Sequence, residues 1–327
     1  MGKSTSIAIL IILTAVLFHP QAVNAADDLG FFSGKTIRYI VSTKPGGGHD
    51  AYARVIGKYM QKYIPGSTVI VKNVPGAGHI IGANETCLAK PDGLTIGTFS
   101  TGLIYAQIVG LPGIKFDLGK YSWIGKANSE TRVLIVSVNS PYKTFKDILE
   151  SKESIKMAAT GVGTAAYNDV LIVAAVTGAN LKVIPGYAGR ESEMSMMRGE
   201  VTGQLASYMG LLPFIKAKEC RVLLQFADKK HQDLKDVPLA SELKLPEKAM
   251  KIIAVINSQA ELGRLAAGPP NIPAGRLQVL RDAYKKALTD PNLLKEMAKM
   301  DMDIDPGNGD DVARSVRAAD NQPPGNM

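Results

Sequence analysis

Lys44-Pro45-Gly46-Gly47-Gly48-His49-Asp50 connects a strand-like run, Thr36 to Ser42, to a helical run, Ala51 to Tyr63. The three glycines lack Cβ atoms, so the main chain can adopt positive φ angles and bring its N–H groups against a ligand. Asp50 can cap the helix, and the free N–H groups and the dipole at the helix start favour an anion. The stretch therefore predicts an anion-binding turn between a strand and a helix, without an obvious catalytic group.

A second turn of the same kind, Asn73-Val74-Pro75-Gly76-Ala77-Gly78-His79, follows an apolar run and precedes a helical one. Ser100-Thr101-Gly102 comes after the next strand-like run, Leu94 to Phe99. In an open α/β sheet, ligands bind beyond the carboxyl ends of the strands. Because all of these turns follow strands, we expect them to face one cleft.

A fresh α/β pattern begins after Asn128-Ser129-Glu130, and it contains a further glycine turn, Gly161-Val162-Gly163-Thr164, before a helical run. The polar run from Ala227 to Val237 indicates a return to the first unit. We therefore predict a first lobe formed by residues 26–127 and 238–327 and a second lobe formed by residues 128–237. Two crossings between two lobes are typical of a hinged α/β protein that closes on a ligand in the cleft.

The N-terminus predicts export. Lys3 precedes an apolar run from Ile7 to Phe18 that is too short for a membrane span, and small or compact residues, Val23 and Ala25, suit a signal-peptide cleavage site. We expect residues 1–25 to be removed and the last residues, from Gln322 to Met327, to be disordered.

The charge balance excludes a strong nucleic-acid signal. The chain has 38 Lys and Arg residues against 30 Asp and Glu residues, but no basic block interleaved with aromatic residues. The excess suits an anionic ligand and equally suits a merely soluble basic protein. Cys87 and Cys220 are expected to be small buried hydrophobic residues in different lobes, with a disulfide bond as the alternative.

No motif indicates catalysis or a cofactor. The chain lacks a Gly-x-Ser-x-Gly elbow, a His-Glu-x-x-His motif and a Walker lysine, so we expect no enzyme activity, cofactor or metal. An exported hydrolase remains an alternative, because a catalytic triad needs no fixed spacing. His49 and His79 could donate hydrogen bonds to a carboxylate and gain charge beside it. The alternatives are that they bind a metal or that they are ordinary histidines at helix starts.

Several stretches together resemble one family. Pro45-Gly46-Gly47-Gly48-His49-Asp50 with Ala53-Arg54, Asn73 to Gly78, Pro91-Asp92-Gly93, Tyr187-Ala188-Gly189 and Pro269-Pro270-Asn271-Ile272-Pro273 occur in family order. The sequence resembles the Bug family, the extracytoplasmic solute receptors of tripartite tricarboxylate transporters. The resemblance implies a type II periplasmic binding protein fold, a periplasmic location, a small organic acid ligand and a partner among the membrane permease subunits.

The resemblance and the strand ends together define the expected ligand-binding residues. In the family, the two first-lobe turns hold a carboxylate and a second-lobe helix start meets the other end of the ligand. The expected residues are Lys44, Pro45, Gly46, Gly47, Gly48, His49, Asn73, Gly76, Ala77, Gly78, His79, Ser100, Thr101, Gly163, Thr164, Ala165, Tyr187, Ser207 and Tyr208.

One departure from the family concerns the far end of the ligand. A frequent Val-Asp-Leu-Met-Phe-Asp run is here Val201-Thr202-Gly203-Gln204-Leu205-Ala206, so its last acid is missing. Amino-dicarboxylates that would pair with that acid are therefore disfavoured, and we expect a dicarboxylate or an aromatic acid bound by a monomer. Arg190 could meet a distal carboxylate or pair with Glu193 at the surface. A receptor that presents its ligand to a sensor kinase is the alternative function.

Overall fold

The computed structural model describes residues 25–187, 189–260 and 262–320. The predicted export signal, apart from Ala25, and the predicted C-terminal tail lie outside these ranges. The described chain forms two α/β lobes, each built around one sheet with an apolar cluster on either face.

The strands follow the runs of β-branched and other apolar residues that the sequence shows. They are β1 (Thr36–Val41), β2 (Thr68–Asn73), β3 (Thr95–Phe99), β4 (Ser122–Asn128), β5 (Arg132–Ser137), β6 (Ile155–Ala159), β7 (Leu181–Pro185), β8 (Gly203–Ser207), β9 (Cys220–Phe226), β10 (Gly263–Gly268) and β11 (Gly307–Asn308).

The helices lie mostly between successive strands, as expected for parallel sheets with crossover connections. They are α1 (Ala25–Phe31), α2 (Gly48–Tyr63), α3 (Ile80–Cys87), α4 (Gly102–Val109), α5 (Phe145–Glu150), α6 (Ala165–Thr177), α7 (Glu191–Met197), α8 (Tyr208–Lys216), α9 (Glu247–Ala260), α10 (Ala274–Leu288), α11 (Pro291–Lys299) and α12 (Gly309–Asp320).

Each lobe has one mixed sheet. The order in the first lobe is β11-β4-β10-β3-β1-β2, with β1 parallel to β2 and β3 and with β10 antiparallel to β3 and β4. The order in the second lobe is β7-β6-β8-β5-β9, with β6 parallel to β7 and β8. Because neighbouring parallel strands end at the same edge, the loops after β1, β2 and β3 lie together, as do those after β6 and β8.

The alternation of side chains across the strands fills both faces of each sheet. In β5, Leu134 and Val136 pack in one cluster, whereas Val133 and Ile135 pack in the cluster on the opposite face. All of these side chains are buried, which is typical of strands covered by helices on both sides.

Two crossings join the lobes side by side. The first runs from Asn128 to Arg132 and the second from Ala260 to Gly263. Glu130 donates its backbone N–H to the carbonyl of Ala260 at 2.7 Å, and Gly263 pairs with Asn128 in the sheet register. The two crossings are thus hydrogen-bonded to each other and form a narrow strip between the lobes. A hinge motion of the lobes would occur at this strip.

The return crossing lies later in the chain than the polar run from Ala227 to Val237 suggested. Ala240, Ile253 and Ile256 pack in the apolar cluster of the second sheet, so α9 covers the second lobe rather than the first. The physical reason is that the apolar positions of α9 find their partners on α6 and β9. The chain then re-enters the first sheet as β10.

The elements that were not predicted include a strand and a helix beside the cavity. β10 reads Gly-Arg-Leu-Ala-Ala-Gly, whose small residues have little intrinsic preference for a strand, yet all six residues are buried between β3 and β4. Helix α4 begins at Gly102, within the segment predicted to be a cleft loop. In both places, tertiary packing overrides weak local preference.

Cys87 and Cys220 are free thiols, one on α3 and one on β9. Within the described ranges, no helix combines the length and the apolar character needed to cross a membrane.

Candidate ligand-binding site

A cavity of about 610 Å³ lies between the two sheets, at the carboxyl ends of the parallel strands. It is lined from the first lobe by the loops after β1, β2 and β3, and from the second lobe by the loop before α6, the start of α7 and the end of β8. Its volume is in the range of small-molecule sites.

Most of the predicted residues come together at this cavity. Those that line it are Lys44, Gly47, Gly48, His49, Gly76, Ala77, Gly78, His79, Ser100, Thr101, Thr164, Ala165 and Ser207. The remaining predicted residues do not line it; they are Pro45, Gly46, Asn73, Gly163, Tyr187 and Tyr208. Binding by any of these residues stays a prediction.

The first loop is held in shape by Asp50. We had expected Asp50 to cap α2, but the helix begins at Gly48 and Gly47 occupies the cap position. Asp50 accepts instead from the backbone N–H of Gly46 at 3.0 Å, from Arg54 Nε at 3.0 Å and from Asn73 Nδ2 at 2.9 Å. Burial raises the pKa of Asp50, but these hydrogen bonds outweigh it and lower the pKa overall. Asp50 and Asn73 thereby join the two first-lobe loops behind the cavity.

The second loop is a run of left-handed residues. Gly76, Ala77, Gly78 and His79 have φ angles of 133°, 45°, 60° and 81°. A left-handed conformation costs a residue with a Cβ about 1–2 kcal/mol, so Ala77 and His79 are held there by their surroundings. Such strain concentrates at ligand-binding loops.

The two histidines are adjacent and uncharged. The His49 and His79 rings lie 5.6 Å apart, and Arg264 Nη1 lies 3.4 Å from His49 Nδ1. Burial, together with the charge of Arg264, holds the pKa of His49 well below its usual range and lowers the pKa of His79 to about 4. Without a ligand, both imidazoles are therefore neutral hydrogen-bonding groups at neutral pH. That either becomes charged beside a bound carboxylate stays a prediction.

Arg264 is a cavity residue that the sequence did not reveal. Its guanidinium forms a buried ion pair with Glu130, with Nη1 2.5 Å from Oε1. A Cβ built on Gly48 would lie 2.7 Å from Arg264 Nη2, so the glycine at the start of α2 leaves room for the guanidinium. The ion pair links the first crossing, which contains Glu130, to Arg264 at the start of β10, and both residues line the cavity. Its partners lie 134 positions apart in a strand and a crossing without any motif, so no sequence signal could have identified it.

The second lobe presents the start of α6 and another buried ion pair. Thr164 caps α6, since its Oγ1 accepts from the backbone N–H of Tyr167 at 3.3 Å. Arg132 lines the cavity and donates through Nε to Asp169, which is buried behind it. Burial raises the pKa of Asp169 to about 6, and Arg132 opposes part of that rise. Arg132 was also missed by the sequence analysis.

Glu193 and Gln204 complete the second-lobe wall. Glu193 is not the exposed partner of Arg190 that we had considered, because it is only 7% exposed. Arg190 donates instead to the carbonyl of Gly210 at 3.4 Å.

Tyr187 and Tyr208 pack away from the cavity. Tyr187 packs against the apolar cluster that contains Tyr208, and the Tyr208 ring lies 4.4 Å from that of His231. Their rings therefore contribute to the core of the second lobe.

Glycines also line the seam where the lobes meet. A Cβ built on Gly102 would lie 2.3 Å from the backbone nitrogen of Ala165, and one built on Gly78 would lie 2.6 Å from the carbonyl oxygen of Val162. Because these neighbours are backbone atoms of the other lobe, side chains at Gly78 and Gly102 would separate the lobes. The lobes are thus close together in this structure, with backbone atoms of one lobe against backbone atoms of the other at this seam.

The two walls of the cavity provide hydrogen-bonding groups. Within the described ranges, no three His, Cys, Asp or Glu side chains come together as metal ligands. Two lobes, a paired crossing and an interlobe cavity with hydrogen-bonding groups on both walls are typical of hinged ligand-binding proteins.

A model of the family described as "Tripartite tricarboxylate transporter family receptor" matches residues 52–322. The protein therefore belongs to this family of solute-binding receptors, and the Bug-family resemblance is confirmed. The family is one of receptors rather than enzymes.

The relatives include uncharacterised and named members. A UPF0065 protein from the tcbD-tcbE intergenic region of Pseudomonas sp. (strain P51) is 28% identical over 222 residues, which is 66% of this chain and 66% of the relative. Protein BugT of Bordetella pertussis is 25% identical over 251 residues, which is 73% of this chain and 74% of the relative.

Solved structures share the fold. The periplasmic binding protein BugD superposes with a TM-score of 0.74 at 21% identity, over 88% of this chain and 94% of that one. Malate-bound MatC from Rhodopseudomonas palustris gives 0.74 at 18% identity, over 88% and 96%, and an R. palustris protein with adipate gives 0.73 at 16% identity, over 88% and 94%. The predicted type II periplasmic binding protein fold, with two lobes and an interlobe cleft, is confirmed.

Proposed function

We propose that this protein is a periplasmic receptor that captures a small organic carboxylate between its lobes and delivers it to the permease subunits of a tripartite tricarboxylate-type transporter. The observation that carries the proposal is the first-lobe wall of the cavity. There, two glycine loops, the start of α2 and two neutral histidines surround one point near the Arg264 guanidinium.

This wall suits a carboxylate for physical reasons. The start of α2 has free N–H groups and the positive end of the helix dipole, both of which favour an anion. A neutral imidazole has one N–H to donate, and it does not repel Arg264. Arg264 is already paired with Glu130, so the site offers the ligand oriented dipoles rather than a free cation.

The energy required for uptake is within reach of such a site. A micromolar dissociation constant corresponds to about 8 kcal/mol. Several backbone hydrogen bonds to one carboxylate, at about 0.5–1.5 kcal/mol each or somewhat more with a charged acceptor, together with burial of the ligand body, can supply it. Dicarboxylates and aromatic acids are the two ligand classes expected from the sequence, and both fit a cavity of about 610 Å³.

Export and delivery belong to the same proposal. The apolar run from Ile7 to Phe18 supports a cleaved signal peptide, and membership of the receptor family supports both a periplasmic location and a permease partner. Mass spectrometry of the protein in a periplasmic extract is expected to find a mature N-terminus near Ala26. A full-length chain retained in the cytoplasm would contradict this part of the proposal.

A thermal-shift screen of the purified mature protein tests the ligand class. Mono-, di- and tricarboxylates and aromatic acids are added at increasing concentrations, and a ligand that binds the folded state raises the melting temperature progressively. We expect at least one of these acids to do so and to be recovered chemically unchanged. A melting temperature that no carboxylate raises would overturn the proposed function.

A further inference from the structure

The second-lobe wall contains a carboxylate that forms no ion pair with another described residue. Glu193, in the first turn of α7, lines the cavity and is only 7% exposed, and its Oε2 has no hydrogen-bond partner among the described residues. Two neighbours on the same wall share this property: Gln204 Nε2 and Ser207 Oγ are buried without a partner.

This arrangement has no structural explanation of its own. A first-turn acid can stabilise a helix while exposed to water, so α7 does not need Glu193 to be buried. Burial raises the pKa of Glu193 and outweighs the lowering effects of its backbone, of the neighbouring Gln204 amide, which makes no hydrogen bond of standard geometry, and of the Arg190 charge. Buried polar atoms without partners are rare in native proteins because each costs free energy, so three of them on one cavity wall point to a missing ligand group.

Glu193 also differs from the other charged residues around the cavity. Arg132 and Arg264 are each paired with a buried acid, and Lys44 lies 3.5 Å from Glu191. Glu193 makes no ion pair at this distance with a described residue. The cavity therefore runs from an anion-binding wall on the first lobe to an anionic wall on the second.

We propose that the ligand is an acid whose far end carries a hydrogen-bond donor, an ammonium or hydroxyl group, which Glu193 accepts while Gln204 and Ser207 complete its contacts. The inference rests on the proposed function, because it assumes that the carboxylate binds at the first lobe. A plain dicarboxylate would place its second carboxylate beside Glu193 and is disfavoured by charge repulsion.

The proposal also answers the departure at Ala206. The sequence lacks the acid that ends the family's Val-Asp-Leu-Met-Phe-Asp run, and this absence argued against amino-bearing ligands. In the structure, Glu193 brings an acid to the same wall from α7, beside Gln204 of that run. The loss of one acid from β8 thus does not leave the second lobe without an acceptor.

Isothermal titration of the mature protein with two matched ligand series tests the inference. The aliphatic series is caproate, ε-aminocaproate and adipate; the aromatic series is benzoate, para-hydroxybenzoate and terephthalate. In at least one series, we expect the donor-bearing acid to bind about tenfold or more tightly than both the unsubstituted acid and the diacid, as a hydrogen bond to a charged group allows.

Variants assign the preference to Glu193. Glu193→Gln keeps the size of the side chain but removes its charge, and it is expected to abolish most of the preference for the donor-bearing acid over the unsubstituted acid and the diacid. Glu200→Gln is the matched control, because Glu200 is exposed on the same lobe and pairs with Arg198. It is expected to bind every ligand as the wild type does. Should Glu193→Gln fail to fold, the wild-type ligand series alone decides.

The outcomes separate the two proposals. If acids bind but the diacids bind as tightly as the donor-bearing acids, or Glu193→Gln retains the preference, the inference is overturned and the proposed function stands. If no acid of either series or of the wider screen binds, the proposed function fails and the inference fails with it.

Discussion

The two walls of the cavity are built from different parts of the chain. The first-lobe wall consists mainly of loop main chain around Gly47, Gly48 and Gly78, supported from behind by Asp50. The second-lobe wall adds to the loop before α6 a set of polar side chains on α7 and β8, among them Glu193 and Gln204. A main-chain wall can recognise only what all ligands share, whereas a side-chain wall can change with single substitutions and so can select among ligands.

The buried ion pair beneath the cavity belongs to both walls, and breaking it has the largest expected effect. Arg264→Met leaves Glu130 buried without a partner, which costs about 3–5 kcal/mol of unfolding free energy. Urea denaturation measures the loss, and adding Glu130→Gln to the same protein should recover most of it. Arg198→Met removes an exposed partner of Glu200 and is expected to cost less than about 1 kcal/mol. A loss as small as this control would show that the pair does not hold the crossings together.

Gly47→Val tests whether the first-lobe wall serves every ligand. Gly47 lines the cavity in an extended conformation that valine also adopts, and a Cβ there meets no atom within 4 Å. The new side chain should occupy the carboxylate position. The dissociation constant for every acid should then rise about a hundredfold or more, equivalent to about 2.7 kcal/mol, while the melting temperature does not fall. Gly30→Val is the control, since Gly30 also has open space around it but does not line the cavity. A loss confined to some acids would contradict a shared carboxylate end.

The difference between the walls also explains what the sequence could and could not predict. The loops at Lys44 to Asp50 and Asn73 to His79 are local motifs, so residues within one short stretch identify them. Glu130 and Arg264, by contrast, meet only after the chain has crossed between lobes twice, and Glu193 meets Gln204 only after a helix and a turn. Such meetings depend on packing and leave no local pattern.

The same reasoning applies to the fold. The alternation of strands and helices predicted both sheets and the first crossing at Asn128, because each signal spans a few neighbouring residues. The strand β10 was missed, since its small residues are strand-forming only between β3 and β4. The segment that forms α9 was assigned to the first lobe as part of residues 238–327, because an apolar run shows that a segment is buried but not which surface buries it.

Closure of the lobes can be impaired without touching either wall's polar groups. Gly102→Ala places a methyl group 2.3 Å from the backbone nitrogen of Ala165, and neither backbone segment can move without opening the seam. We expect affinity for every acid to fall about tenfold, because part of the binding energy is then used to close a strained form. Small-angle X-ray scattering at saturating ligand should show a larger radius of gyration than the wild type, and Gly30→Ala should change neither quantity. Wild-type affinity and compactness would show that the seam tolerates a side chain.

The smallest expected effect tests whether the first-lobe wall is uncharged. His79 has a pKa of about 4 in the folded protein, below its usual 6.5, because of burial and the nearby Arg264. As pH falls below 6.5, the unfolded chain binds a proton at this residue before the folded one does, so stability decreases with falling pH. Between pH 7 and pH 6, this difference amounts to about 0.7 kcal/mol of unfolding free energy. His79→Gln should reduce the pH dependence by about that amount when both proteins are unfolded in urea without ligand. If the pH dependence of His79→Gln equals that of the wild type, the pKa of His79 is not lowered by folding, which would contradict a buried neutral imidazole in the first-lobe wall.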